Sequence, residues 1–185
     1  GQVLASVAAE VEVADATKPL DLGNLECRHR PRLEVGDNAP DLSIETLSGR
    51  PLKLQDLRGK IVFLGFTRAN CDAAMKAHEI LTGLHRDLQT GERSGHRNEV
   101  AIVSVFVDSM DVAAAIAQRR GLQWTIGALR DIDTLDQLGI SAYPTSFLIN
   151  SEGVVIEKNL QGQMIEIVLD REFEDLVASS VRSDF

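Results

Sequence analysis

Cys71 is the residue with the most reactive chemistry to offer. It follows the apolar run Ile61-Val62-Phe63-Leu64-Gly65-Phe66 and opens a stretch of helical periodicity. It therefore stands where a strand hands over to a helix. Backbone N–H groups at a helix start lack intrahelical partners, and the dipole there favours negative charge. A thiol in such a place is favoured in its anionic, nucleophilic form. Arg68, three residues earlier, adds positive charge, and Asp72 directly after works against it. The competing reading is a small buried apolar side chain, the usual fate of an unpaired cysteine. Tyr143-Pro144-Thr145 is the second candidate. Proline cannot donate to a sheet, so it belongs at a strand start. Taken alone the bond is expected to be trans, because only about 5% of X–Pro bonds in folded proteins are cis.

Cys27 is the other thiol, 44 positions before Cys71 and flanked by Arg28, His29 and Arg30. Those basic neighbours favour a thiolate there too. Met75 and His78 lie one and two turns after Cys71. A thiolate–thioether pair suits Cu(I). The preferred reading is plainer: Met75 packs or lies on the helix surface, and His78 faces the core or a neighbouring loop. No metal and no cofactor is expected. His29, His85 and His96 are expected to be solvated, and the single Trp124 to be core.

These residues need a scaffold, and the pattern supplies one. Residues 61–66 read as a buried strand. Residues 71–88 read as a helix, with Leu81, Leu84 and Leu88 at helical spacing. Residues 100–107, rich in β-branched side chains, read as a second buried strand. A helix over 111–120 is ended by Gly121, and a short helical turn follows at 133–138. Strands 146–149 and 154–158 are joined by the turn Asn150-Ser151-Glu152-Gly153. The last helix carries Ile165, Val168, Leu169, Phe173, Leu176 and Val177 at spacings of three and four. Two strands joined by a helix predict a parallel pair, and the late hairpin adds antiparallel strands. The expected class is α/β, a central mixed sheet flanked by helices on both faces. Residues 38–185 form that domain. Residues 1–37 have no clear period and read as an N-terminal extension, with a candidate edge strand near 7–13. Residues 89–99 read as a polar loop.

Composition sets outer limits. The chain has 185 residues, 44% hydrophobic and 25% charged, with 19 basic against 28 acidic side chains and a net charge of −9. So acidic a balance argues against a phosphate-backbone partner. No run reaches the roughly 18 apolar residues of a membrane span. The first residues lack the basic and apolar regions of a signal peptide. The chain starts with Gly rather than Met, so a leader or anchor is expected to have been removed. Two cysteines exclude a disulfide scaffold and a Cys-rich zinc module. They leave open one disulfide, or one special thiol and a bystander.

Longer motifs carry a resemblance. Ala39-Pro40-Asp41-Leu42, then residues 49–60 (Gly49-Arg50-Pro51-Leu52 through Arg58-Gly59-Lys60) and the strand ending in Phe66 resemble the entry to a thioredoxin-like domain. Residues 139–149, from Gly139-Ile140-Ser141-Ala142 through Tyr143-Pro144-Thr145 to Ile149, followed by Glu152-Gly153, resemble a cis-proline loop and hairpin. The similarity is to the extracytoplasmic TlpA/ResA group of thiol-disulfide oxidoreductases, within the redoxin (AhpC/TSA-related) superfamily, over about residues 36–181. It implies a thioredoxin-like fold and a cis Pro144. It also implies thiol–disulfide exchange with a protein partner, in the periplasm or otherwise outside the cytoplasm, a cytoplasmic address staying open. Cys71 takes the place of the nucleophile, while Tyr143, Pro144 and Thr145 take that of the partner-binding groove. Arg68, Asn70 and Ala74 surround the thiol.

The departures matter as much. The group reads Trp-Cys-x-x-Cys, whereas this chain reads Asn70-Cys71-Asp72-Ala73-Ala74. Ala74 replaces the resolving cysteine, Asn70 the Trp, and Ala77 a Glu frequent in the group. A single thiol forms a mixed disulfide but needs another thiol for release. Ala74 is then either the residue of a natural single-thiol member or an engineered replacement that traps a partner. Cys27 is the candidate distant resolving thiol. The rival class is a degenerate domain that binds a partner and turns nothing over. Two lesser alternatives are a peroxidase, which would need Pro and Thr or Ser where Leu64 and Arg68 stand, and a copper-delivering relative, which would need a Cys-x-x-x-Cys pair. Oligomeric state is left open.

Overall fold

The structure, a computed structural model, describes residues 32–91, 93–96 and 98–182. Cys27, His29 and the candidate strand near 7–13 lie outside the described residues. The apolar run Ile61–Thr67 is strand β3, and Val100–Phe106 is β4. They pair in parallel from Ile61↔Val100 to Thr67↔Phe106. The helix between them, α1, spans Asp72–Thr90. α2 (Met110–Arg120) is capped by Ser109 and closed by Gly121 in the left-handed region at φ 63°. α3 is Ile132–Gln137, and the hairpin is β6 (Thr145–Ile149) with β7 (Val155–Lys158). α4 runs Met164–Arg182. Among the described residues the expected strands and helices are present, with ends within about two residues wherever an end was expected.

Three strands were not anticipated: β1 (Ser43–Thr46), β2 (Leu52–Lys53) and β5 (Thr125–Ala128). They complete a seven-stranded mixed sheet in the order β2-β1-β5-β4-β3-β6-β7. All are four residues or fewer, too short for alternation to stand out. β5 also contains Gly127, a residue depleted in strands. Tertiary contact explains it: a Cβ on Gly127 would lie 2.4 Å from Ile44 Cγ2 and 2.5 Å from the Glu45 carbonyl oxygen. β1 can pair with β5 only where no side chain stands between them.

Alternation along β3 divides the core. Val62, Leu64 and Phe66 pack with Ile44, Leu54, Leu135 and Ile140 on the α3 side. Ile61 and Phe63 pack with Leu81, Leu84, Ile165 and Leu169 on the α1 and α4 side. α2 covers the same face further along, with Ala113, Ile116 and Ala117 against Ala74, Met75 and Phe106. Helices thus cover both faces of the mixed sheet. Residues 33–36 are tied to this body: Leu33 is buried, Gly36 N–H donates to the Val155 carbonyl, and Lys158 Nζ donates to the Leu33 carbonyl.

Several side chains behave differently from expectation. Trp124 is half-buried rather than core, and its Nε1–H donates to Ser104 Oγ at 2.9 Å. His85 and His96 are not simply solvated. His85 lies against the Trp124 ring, and His96 stacks on Phe173 at 4.5 Å while its Nδ1 is 2.6 Å from Glu99. The segment after α1 is polar as expected but anchored, because Arg93 bonds Asp87 at 2.5 Å and Asp170 at 2.7 Å.

Candidate active site

Two loops meet at one end of the sheet because β3 and β6 are antiparallel neighbours. Phe66 pairs with Thr145, so the chain leaving β3 runs beside the chain entering β6. The first loop carries Arg68, Ala69, Asn70 and Cys71, and the second carries Tyr143, Pro144 and Thr145. Sequence reasoning placed these residues in two separate motifs, and the fold joins them.

Cys71 is the N-cap of α1. Its carbonyl accepts from Met75 N–H at 3.0 Å, and its side chain makes no capping bond. The thiol is left for other work. It is half-buried, and Sγ lies 3.5 Å from the Tyr143 carbonyl oxygen, to which S–H donates. The Tyr143–Pro144 bond is cis, which departs from the expectation for an isolated X–Pro pair and agrees with the resemblance. Thr145 Oγ1 donates to the Ala142 carbonyl at 2.7 Å and holds the loop on itself.

The neighbours divide into those that touch this pair and those that do not. The Arg68 guanidinium sits 5.4 Å from the centre of the Tyr143 ring, within cation–π reach. Arg68 thereby braces the loop whose carbonyl meets the thiol. Asp108, which sequence reasoning did not single out, accepts from Ala69 N–H at 2.8 Å and fixes the Cys71 loop to the end of β4. Its signal was weak, an acidic residue just past a buried strand. Asn70 and Asp72 are exposed. Ala74 is 1% exposed and packs among Met75, Phe106 and Ala113.

Met75 and His78 both turn inward. The His78 ring lies against Phe106 and Trp124. Burial, helped by the charge of Arg120, lowers its pKa from 6.5 to about 4. It is a neutral imidazole at neutral pH. Among the described residues no three His, Cys, Asp or Glu side chains gather as metal ligands. No described helix is long and apolar enough to cross a membrane.

A thiol at a helix start, facing a cis-proline loop on a thioredoxin-like sheet, defines the redoxin class of thiol chemistry. Residues 35–158 match the model of the AhpC/TSA family, and the chain belongs to that family. Within it the chain groups with the ResA-like thiol-disulfide oxidoreductases. It is 31% identical to the thiol-disulfide oxidoreductase ResA of Geobacillus thermodenitrificans, over 77% of this chain and 78% of that one. Among solved structures it resembles the thioredoxin domain of a thiol-disulfide oxidoreductase from Bacteroides vulgatus, with a TM-score of 0.67 and 22% identity over 75% of this chain and 97% of the other. A secreted thiol-disulfide isomerase from Corynebacterium glutamicum gives a TM-score of 0.59 at 21% identity, over 71% of this chain and 80% of that one.

Proposed function

We propose that the protein exchanges disulfides with a protein partner through Cys71 alone. The observation that carries this reading is the Cys71 Sγ contact with the Tyr143 carbonyl beside Pro144, together with alanine at position 74. The Cys71 thiolate attacks one sulfur of a partner disulfide. A mixed disulfide forms, and the other partner sulfur leaves as a thiolate. Backbone at Tyr143 and Thr145 pairs with the partner chain as an added strand does, and Arg68 holds the Tyr143 ring in place. A second thiol, as its thiolate, then attacks the Cys71 sulfur, forms a new disulfide with it and releases the partner sulfur as a thiolate, because Ala74 offers no sulfur. Cys27 is a candidate for that thiol. The proposed site of action is outside the cytoplasm, as the resemblance of residues 36–181 to the TlpA/ResA group implies. Fractionation of cells carrying the full gene tests this, and a wholly cytoplasmic pool would sink it.

The rival is a binding module that performs no exchange, favoured by the same Ala74. Reduction of insulin disulfides by dithiothreitol separates the two. The native chain is expected to accelerate precipitation weakly, Cys71→Ser not at all, and Ala74→Cys at least tenfold more than the native chain. Acceleration by Cys71→Ser equal to the native chain overturns the nucleophile. Inactivity of all three forms leaves the binding module.

A further inference from the structure

On the α1 face of the sheet three neighbouring strands contribute small residues to one row. Gly65 pairs with Ser104 on β4 and with Ser146 on β6. The rows on either side are bulky: Phe63 with Ile102 and Leu148, and Thr67 with Phe106. Opposite the small row α1 presents Ala73, Ala74 and Ala77. Small side chains on both walls leave a cavity of about 290 Å³. Phe63, Leu81 and Leu160 make its apolar wall. It opens between α1 and the segment before α4, where Ala73, Lys76, Gln161 and Gly162 are exposed. A cavity of about 150 Å³ suffices for benzene, so this one takes a larger ring system or a substituted ring.

Its polar features are few. The Ser104 hydroxyl accepts from Trp124, and the Ser146 hydroxyl donates to the Leu160 carbonyl. Thr67 and His78 also line the cavity, each 3% exposed, and Thr67 Oγ1 and His78 Nδ1 have no hydrogen-bond partner. An unpaired buried polar atom is unfavourable by about 1–3 kcal/mol. One staggered step about χ1 carries the threonine hydroxyl to a neighbouring position on Cβ, which lets a bound group reach the oxygen. Among the described residues the only charged side chain on the lining is Lys76, at the exposed rim. A charged head group carried inward would be desolvated without a counter-ion.

We propose that this cavity binds a small, uncharged, mainly apolar molecule of phenol to indole size, carrying one hydroxyl that pairs with Thr67 Oγ1 and His78 Nδ1. Pro144 and Thr145 form part of its wall, so an occupant touches the loop that faces Cys71. Binding does not depend on the redox role of that thiol.

NMR titration of the whole protein with p-cresol and with toluene tests this. Saturable shifts are expected at the Gly65, Ser104 and Ser146 amides, with p-cresol at least about tenfold tighter than toluene (about 1.4 kcal/mol). Thr67→Val should abolish that preference, and Ala77→Leu, which fills the cavity, should weaken both probes. Absence of saturable shifts with either probe overturns the site. Toluene binding as tightly as p-cresol to the native chain overturns the hydroxyl pairing without recourse to any variant. Should only a peptide carrying Tyr beside a cysteine linked to Cys71 fill the cavity, it belongs to the partner, and the proposal is overturned.

Discussion

His78 makes the stability of this fold depend on pH, and the size of the effect follows from its burial. The ring is 3% exposed against Phe106 and Trp124, with its pKa lowered from 6.5 to about 4. Between those values the unfolded chain binds a proton that the folded chain refuses. Stability therefore rises with pH through this window and is fully regained above about 6.5. The full difference is about 3 kcal/mol at about 1.4 kcal/mol per tenfold change in proton affinity. By pH 5 about 2 kcal/mol of it is already lost. Burial is the larger cause and the Arg120 charge the smaller, so Arg120→Gln should restore only a minor part. Urea unfolding at pH 8, 6.5 and 5 measures the effect, and with an m-value of about 2 kcal/mol/M the midpoint should drop by about 1 M. His78→Leu keeps the apolar contact and removes the titration. It should flatten the profile by about 2 kcal/mol, leaving the smaller slope that His85, also lowered by burial, contributes with the same sign. A His78→Leu protein whose stability falls between pH 8 and 5 as much as the native protein's would refute the reasoning.

Glycine positions give a paired test. Gly127→Ala forces a Cβ against Ile44 and the Glu45 backbone and should lower stability by at least about 2 kcal/mol in denaturant unfolding, whereas Gly83→Ala, on α1 with no atom within 4 Å, should raise it by about 0.5–1 kcal/mol; equal effects would show that strand approach does not require Gly127. Arg93→Ala removes the bridge from Asp87 on α1 to Asp170 on α4. Because the arginine is about a quarter exposed, the loss should be about 1 kcal/mol and shrink in 1 M salt, and a loss unaffected by salt would point to packing of the arginine stem instead.

The long elements were legible because their signals are local. β3 and β4 announce themselves as apolar runs, and α1 through Leu81, Leu84 and Leu88. Cys71 at the junction of strand and helix was legible for the same reason, whereas the cis Tyr143–Pro144 bond was legible only through the family resemblance. What escaped depends on residues far apart in the chain. The contact between Cys71 and Tyr143 spans 72 positions and exists only because Phe66 pairs with Thr145. His85 and His96 read as solvated because their partners, Trp124 and Phe173, come from other elements. β1 and β5 are strands because of their neighbours in the sheet, β1 lying between β2 and β5, and β5 between β1 and β4. Gly127 argues against a strand on propensity, yet the closeness of Glu45 requires it.

Ala74 separates what the fold needs from what the chemistry needs. Its Cβ is buried among Met75, Phe106 and Ala113, so the helix packs there through a methyl group and no hydrogen bond depends on it. A cysteine at this position adds one sulfur atom, and the adjoining cavity gives that atom room. Stability should therefore change little in Ala74→Cys, while turnover changes greatly if the second thiol is what the site lacks. The structural elements that aim Cys71 (the β3–β6 register, Asp108 on Ala69, Arg68 over Tyr143) are complete without that thiol. On the proposed function, a site so positioned forms the mixed disulfide, and release is the step left to another sulfur.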